Sequence, residues 1–229
     1  MHFKGIDLKN IRSGKYEILL SVTADGGKRH YIPPVLAFQM SEHRDYDDCF
    51  EYRIHAQKEG FCLTKQAIVG SPPPDHSYFS LEDFWTKEKL FHIEGAFLVR
   101  GIDFTEFEDG RYYCIARHRQ TGQQYARRLG LAKKEKLGEK IGNFVGGYRA
   151  CYFATMHFKG IDATGFESGQ YDLYVSIAYG SEIFSQKTTL VLEVGDSVKL
   201  FQEKLMLGTP ITDVGEFSDS GIKNRSEAV

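Results

Sequence analysis

"MHFKGID" occupies residues 1–7, and the same seven letters return at residues 156–162. The surroundings match as well. "MHFKGIDLKNIRSGKYEILLSV" (1–22) aligns with "MHFKGIDATGFESGQYDLYVSI" (156–177), and a diverged middle copy, "FLVRGIDFTEFEDGRYYCIARH", spans 97–118. Each copy has Gly-Ile-Asp, a second Gly nine residues after the first, and a Tyr two residues after that. The recurring positions are Gly5, Asp7, Gly14 and Tyr16, then Gly101, Asp103, Gly110 and Tyr112, then Gly160, Asp162, Gly169 and Tyr171. Self-similarity of this kind marks one supersecondary unit used several times.

The unit reads as strand, turn, strand. After Gly-x-Tyr the third copy places Tyr171, Leu173, Val175 and Ile177 on one side, with Asp172, Tyr174 and Ser176 on the other. The first copy does the same with Tyr16, Ile18, Leu20 and Val22. Period two is the signature of a half-buried strand. Ser-Gly or Asp-Gly precedes that strand, and the aspartate of Gly-Ile-Asp suits a turn cap. A further strand-like run follows in each copy, so each unit is expected to be a three-stranded meander. One meander leaves a face uncovered, so the copies are expected to pack in layers.

The expectation is an all-β protein of immunoglobulin-like or related β-sandwich modules built from three internal meander repeats. Residues 1–70 form the first repeat with an extra hairpin, from "CFEYRIHAQ" (49–57) and "FCLTKQAIV" (61–69). Residues 71–92 hold a proline-rich linker and a short helix, "SLEDFWTKEKL" (80–90), with Ser80 as its N-cap. A second short helix is considered at 196–206. Residues 93–139 and 140–216 carry the second and third repeats, and 217–229 a polar tail. Met1 would lie inside a strand by analogy with Met156, so the chain reads as part of a larger protein.

Composition limits the partners. The formal charge of -2 supplies no global basic field, so no nucleic-acid partner is expected. No run approaches the ~18 apolar residues of a membrane span, and no secretory leader is read at the N-terminus. Cys49, Cys62, Cys114 and Cys151 have spacings that fit no zinc site. They read as mostly buried, free thiols of a reducing compartment. No cofactor or metal is expected.

Candidate chemistry is sparse. Asp45 and Asp47 flank Tyr46 in "RDYDD" (44–48). Such pairs hold divalent metals through oxygen, and with His55 they define an alternative, a metal-dependent enzyme. The plainer alternative is a solvated turn before a strand. "ARRLGLAKKEKLGEK" (126–140) is the basic cluster, either a solvated loop or a docking site for an anionic polymer. Its Arg127, Arg128, Lys133 and Lys134, with the aromatic residues Tyr46, Tyr78 and Trp85, are the candidate glycan contacts. A self-contained lectin-like protein is a further alternative. No constellation reads as catalytic, so the chain reads as a binding or self-associating module.

Two resemblances bear on this. "EDGRYYC" (108–114) resembles the run that enters strand F of immunoglobulin domains, where the Tyr hydroxyl bonds backbone at a corner. The position of its Cys114 is taken by Ile18 and Leu173 in the other copies, so no disulfide is implied. The Gly-Ile-Asp…Ser-Gly-x-Tyr unit and "YFATMHFKGID" (152–162) resemble tandem β-sandwich modules appended to bacterial glycosyltransferases and glycerophosphotransferases of teichoic-acid and capsule synthesis. That resemblance covers most of 1–20 and 90–195. It implies a cytoplasmic, non-catalytic module for polymer binding or oligomerisation, docked to other domains of a parent protein, with no fixed site motif.

Overall fold

A computed structural model describes residues 7–23, 27–34, 42–58, 60–142 and 147–203. Met1, Gly5, residues 143–146 and the 217–229 tail fall outside the described residues. The fold is all-β, and the longest helical segment described is a five-residue 3₁₀ turn, Leu137–Ile141. No described helix is long and apolar enough to cross a membrane.

Before the proline run come β1 (Gly14–Ile18), β2 (Leu20–Thr23), β3 (Arg29–Ile32), β4 (Glu42–Tyr46), β5 (Phe50–Gln57) and β6 (Gly60–Ala67). After it come β7 (Tyr78–Lys87), β8 (Leu90–Leu98), β9 (Gly110–His118), β10 (Gln124–Ala132), β11 (Tyr152–Thr155), β12 (Ile161–Asp162), β13 (Gly169–Tyr179), β14 (Glu182–Val194) and β15 (Val198–Gln202). The first group makes a four-stranded sheet, β1-β6-β5-β4, and a separate hairpin, β2-β3. The second group makes one nine-stranded antiparallel sheet that is nearly closed like a barrel. Its ends approach where the Val198 amide donates to the Glu88 carbonyl, 3.0 Å.

In the third copy the alternation read from the sequence is the burial pattern found, whereas in the first copy Tyr16 and Ile18 are only half-buried and Leu20 and Val22 are exposed. Tyr171, Leu173, Val175 and Ile177 are all fully buried in the barrel interior. Phe91, Phe97, Phe104, Tyr112 and Phe153 fill the same core. The order of neighbours within the sheet differs from three consecutive meanders. β9-β10 and β13-β14 are hairpins, but β8 pairs with β7, β11 and β12, while β11 pairs with β10. The strand before Gly-Ile-Asp is therefore not bonded to the strand after Gly-x-Tyr, and β9 instead lies beside β13 of the next copy. Residues 99–109 separate β8 from β9, far more than a tight hairpin uses, and such a link can cross the barrel mouth.

The corner chemistry of the repeat is partly as expected. Tyr16 donates its hydroxyl to the Arg12 carbonyl (2.6 Å), and Tyr171 to the Glu167 carbonyl (2.5 Å), each four residues back. Tyr112 instead reaches the Phe97 carbonyl on β8, 2.6 Å. The Asp7 carboxylate accepts the Lys9 amide (2.9 Å), and Asp162 accepts the Thr164 amide (2.8 Å) and hydroxyl (2.6 Å). In the middle copy this cap passes from Asp103 to Asp109, which accepts the amides of Thr105 (2.9 Å) and Glu106 (2.8 Å). Gly101 and Gly160 turn the chain with φ of +87° and +82°, values that suit glycine. Gly110 is needed for space, since a Cβ there would sit 2.2 Å from the Phe104 ring.

The helix expected at 80–90 is a strand. "SLEDFWTKEKL" has helix-compatible polarity, but β7 pairs along β8 from Tyr78↔Leu98 to Lys87↔Leu90, with a bulge between Leu81 and Asp83. Nine-strand pairing outweighs a weak local preference. Glu82, Asp83 and Lys87 instead lie on an edge strand, where charges discourage foreign pairing. The region at 196–206 is likewise strand over Val198–Gln202, with residues from 204 onward outside the described set. The strand expected through Met156 ends at Thr155, and Met156–Phe158 is a 3₁₀ turn. The proline-rich segment is docked, because the Ser71 amide and carbonyl bond Ile183 and Ser185 on β14.

All four cysteines are free, with Cys49 exposed and the others buried. Burial pushes the thiols of Cys114 and Cys151 up to about 12. Thiol titration without reductant is expected to find four thiols in denaturant and one accessible thiol, Cys49, in the native chain, reacting slowly because partial burial and the Asp47 and Asp48 carboxylates push its pKa up. A count of two in denaturant would reveal a bridge.

Candidate functional site

The face of the first sheet that carries Glu51 packs on the outside of the barrel. There Glu51 on β5, wholly buried, meets Arg111 on β9 in a two-pronged ion pair of 2.7 and 2.9 Å. The Tyr113 hydroxyl donates to the same carboxylate (2.8 Å), as does the Gln66 amide (3.3 Å). Burial pushes the Glu51 carboxyl up, opposed by the hydrogen bonds of Tyr113 and Gln66, and burial pulls the Arg111 guanidinium down. Arg53 adds a bond to the Gly180 carbonyl, 2.8 Å.

Beyond this contact the outer barrel face stays open as a cleft of about 400 Å³. Small residues make it concave: Gly130 on β10 lies opposite Ala154 on β11. One wall carries Arg111 and Arg128, and the rims are Phe107 and the Met156–Phe158 turn. His157 and Phe158 both take left-handed backbone angles, φ 55° and 58°, which are costly for large side chains. That turn lifts Phe158 to 60% exposure and Met156 to 46%. The rim is thus formed by the repeated "MHF" phrase itself.

Under the rim lies a hydroxyl–imidazole–carboxylate row. His92 Nδ1 is 2.5 Å from Thr155 Oγ1, and its Nε2 is 3.5 Å from Glu94. A nucleophile and base need this order, but the Thr155 hydroxyl is 1% exposed and also accepts the Gly160 amide, 3.1 Å. Trp85 stacks on the imidazole at 5.0 Å and Phe158 lies 6.0 Å from it on centroids. The row serves to pin β8 to the corner after β11.

The expected glycan residues do not converge. Tyr46 on β4 packs 5.1 Å from the Tyr113 ring and accepts the Arg128 amide, 3.4 Å. Tyr78 begins β7, with Lys140 5.9 Å from its ring centroid, and Trp85 is committed to His92. Arg127 pairs with Asp48 at 3.0 Å, Lys133 with Glu106, and Lys134 with Glu82 at 3.3 Å. Of these seven residues only Arg128 lines the cleft. Among the described residues no carboxylate lies within ion-pair distance of it.

The alternative set of Asp45, Asp47 and His55 is split by the sheet. Asp45 and Asp47 line a second pocket of about 330 Å³, which does not include His55. Asp45 is opposite Tyr52 and His55 opposite Glu42, so the pleat sends them to different faces. Asp47 caps the turn, accepting the Cys49 amide (2.8 Å), the Phe50 amide (2.7 Å) and the Tyr52 hydroxyl (2.7 Å). Burial works against its charge, but these bonds and Lys65 hold its carboxyl below the usual range. Among the described residues no three His, Cys, Asp or Glu side chains gather as a metal site.

Two features had no signal in the sequence. Glu51 and Arg111 are sixty residues apart, and no local pattern links them. Lys65 is 2% exposed, yet its ammonium is held by the carbonyls of Leu8 (3.1 Å), Lys9 (2.8 Å) and Ile11 (2.9 Å). It also lies 4.2 Å from the Phe50 ring centroid, and so fastens the first corner loop. Comparison of the chain with protein-family models, with curated proteins and with solved structures finds no match.

Proposed function

We propose that the chain is a non-catalytic accessory module that binds an anionic glycan polymer in the cleft between Phe107, Arg128 and Phe158. The supporting observation is Arg128, a guanidinium on the cleft wall with no carboxylate in ion-pair contact among the described residues, though its charge also reaches the buried Glu51, beside two exposed aromatic rims. A guanidinium suits phosphate or carboxylate through paired donors. Ring faces suit the CH surfaces of a sugar or polyol backbone. The neighbouring cations of the basic cluster are engaged by Asp48, Glu106 and Glu82, so the charge presented is local. The setting implied by the resemblance, a larger bacterial polysaccharide-synthesis protein in the cytoplasm, belongs to the same proposal.

The test is calorimetric titration with a poly(glycerol phosphate) chain and, as control, a neutral glucan. Weak binding of the anionic polymer is expected, falling with added salt because exposed charges are screened over about 10 Å at 0.1 M. Arg128→Ala should weaken it by about ten-fold or more, since a charge-assisted hydrogen bond contributes ~1.5–3 kcal/mol. Equal binding of the glucan, unaffected by Arg128→Ala, would favour the lectin-like alternative. No binding of either polymer would refute the proposal.

A further inference from the structure

β1 and β2 run on in one direction over residues 14–23, with only Leu19 between them. β6 pairs with β1 through Ile18↔Phe61, and β3 pairs with β2 through Leu20↔Ile32. Pro33 packs against Gly60, 3.2 Å from the position of a Cβ there. β3 and β6 therefore lie end to end on the same side of the run. Among the described residues no strand occupies its other side.

The two ends of this sheet are unlike. β4, at the far edge, reads Glu-His-Arg-Asp-Tyr, a density of charge that guards against foreign strands. The β1–β2 edge reads Gly-Lys-Tyr-Glu-Ile-Leu-Leu-Ser-Val-Thr, with two charges only. Its hairpin exposes Leu20, Val22, Tyr31 and Ile32 by 48–63%, and a lone two-stranded hairpin is marginal in water.

We infer that this edge is the contact between two copies of the chain, joined antiparallel about a two-fold axis at Tyr16. Charge complementarity selects this occupant and this register. Centred on Tyr16, Lys15 of each copy faces Glu17 of the other, giving two opposite-charge cross-strand pairs. Shifting the centre to Lys15 or to Glu17 sets like charges directly opposite, which is unfavourable. A two-fold contact of one patch with itself closes without leaving a growing edge. The same register lays each hairpin beside residues 10–12 of the other copy, shielding Leu20 and Val22. This contact does not depend on the polymer-binding reading, because neither Arg128 nor Phe158 takes part in it.

The test is sedimentation equilibrium of the full chain over a concentration series. A reversible dimer is expected. Lys15→Glu should weaken it by about ten-fold or more, because both pairs become repulsive. Combining Lys15→Glu with Glu17→Lys should restore it, with the circular dichroism of both variants matching the parent chain. A monomer at every concentration, a dimer indifferent to Lys15→Glu, or a failure of the double reversal to restore association would each overturn the inference.

Discussion

Arg111→Met is expected to lower the stability of the folded chain by about 3–5 kcal/mol, the range for leaving one member of a buried ion pair alone. The Glu51 carboxylate is wholly buried and takes two of its bonds from Arg111. Tyr113 and Gln66 remain as donors, but neither carries charge. The loss should shrink when both partners are removed: Glu51→Leu with Arg111→Met should recover much of it, since an apolar pair of similar volume has no desolvation cost. The pH dependence has a definite sign. Burial raises the folded Glu51 pKa, so the native state binds its proton more tightly than the unfolded chain. Its contribution to stability therefore falls as pH rises above the ordinary carboxyl range. In Arg111→Met that decline should be steeper, and acid should relieve the defect. Urea denaturation at several pH values measures this. A loss below about 1 kcal/mol at neutral pH would mean that the pair is solvated and does not join the first sheet to the barrel.

Tyr112→Ala is expected to cost a similar ~3–5 kcal/mol, through a cavity at the centre of the barrel. The ring is fully buried, with the centroids of Phe97, Phe104 and Phe153 at 6.4, 5.5 and 5.9 Å. Tyr112→Phe keeps the packing and removes only the bond to the Phe97 carbonyl, for ~0.5–1.5 kcal/mol. The ratio of the two losses separates packing from hydrogen bonding. Small and equal losses in chemical denaturation would mean that the ring does not fill the core.

The Tyr112 bond also illustrates where local reasoning stops. Tyr16 and Tyr171 close on carbonyls four residues back, and that contact follows from the spacing of the motif alone. Tyr112 has the same motif but lies under β8, so its hydroxyl finds a carbonyl fifteen residues away. Likewise the turn-capping aspartate is Asp7 and Asp162 in two copies, but Asp109 in the middle one. The candidate site was less legible than the fold. Arg128 was singled out, but Phe107, Phe158 and the floor of Gly130 and Ala154 come together only when β10 and β11 pair. The candidate sugar-contact aromatics Tyr46 and Trp85 instead pack on Tyr113 and His92.

What the sequence by itself determined is the all-β class, the inward set Tyr171, Leu173, Val175 and Ile177, and the turns around Gly-Ile-Asp. These depend on the two-residue period and on backbone preferences at Gly and Asp, which act within a few residues. Only the tertiary structure decided that β11 sits between β8 and β10, that residues 78–87 form an edge strand, and that Glu51 meets Arg111. Alternation states that a strand has a buried face, but hydrogen bonding at its two edges is open to any strand. Neighbours are therefore chosen by how the whole set of faces packs.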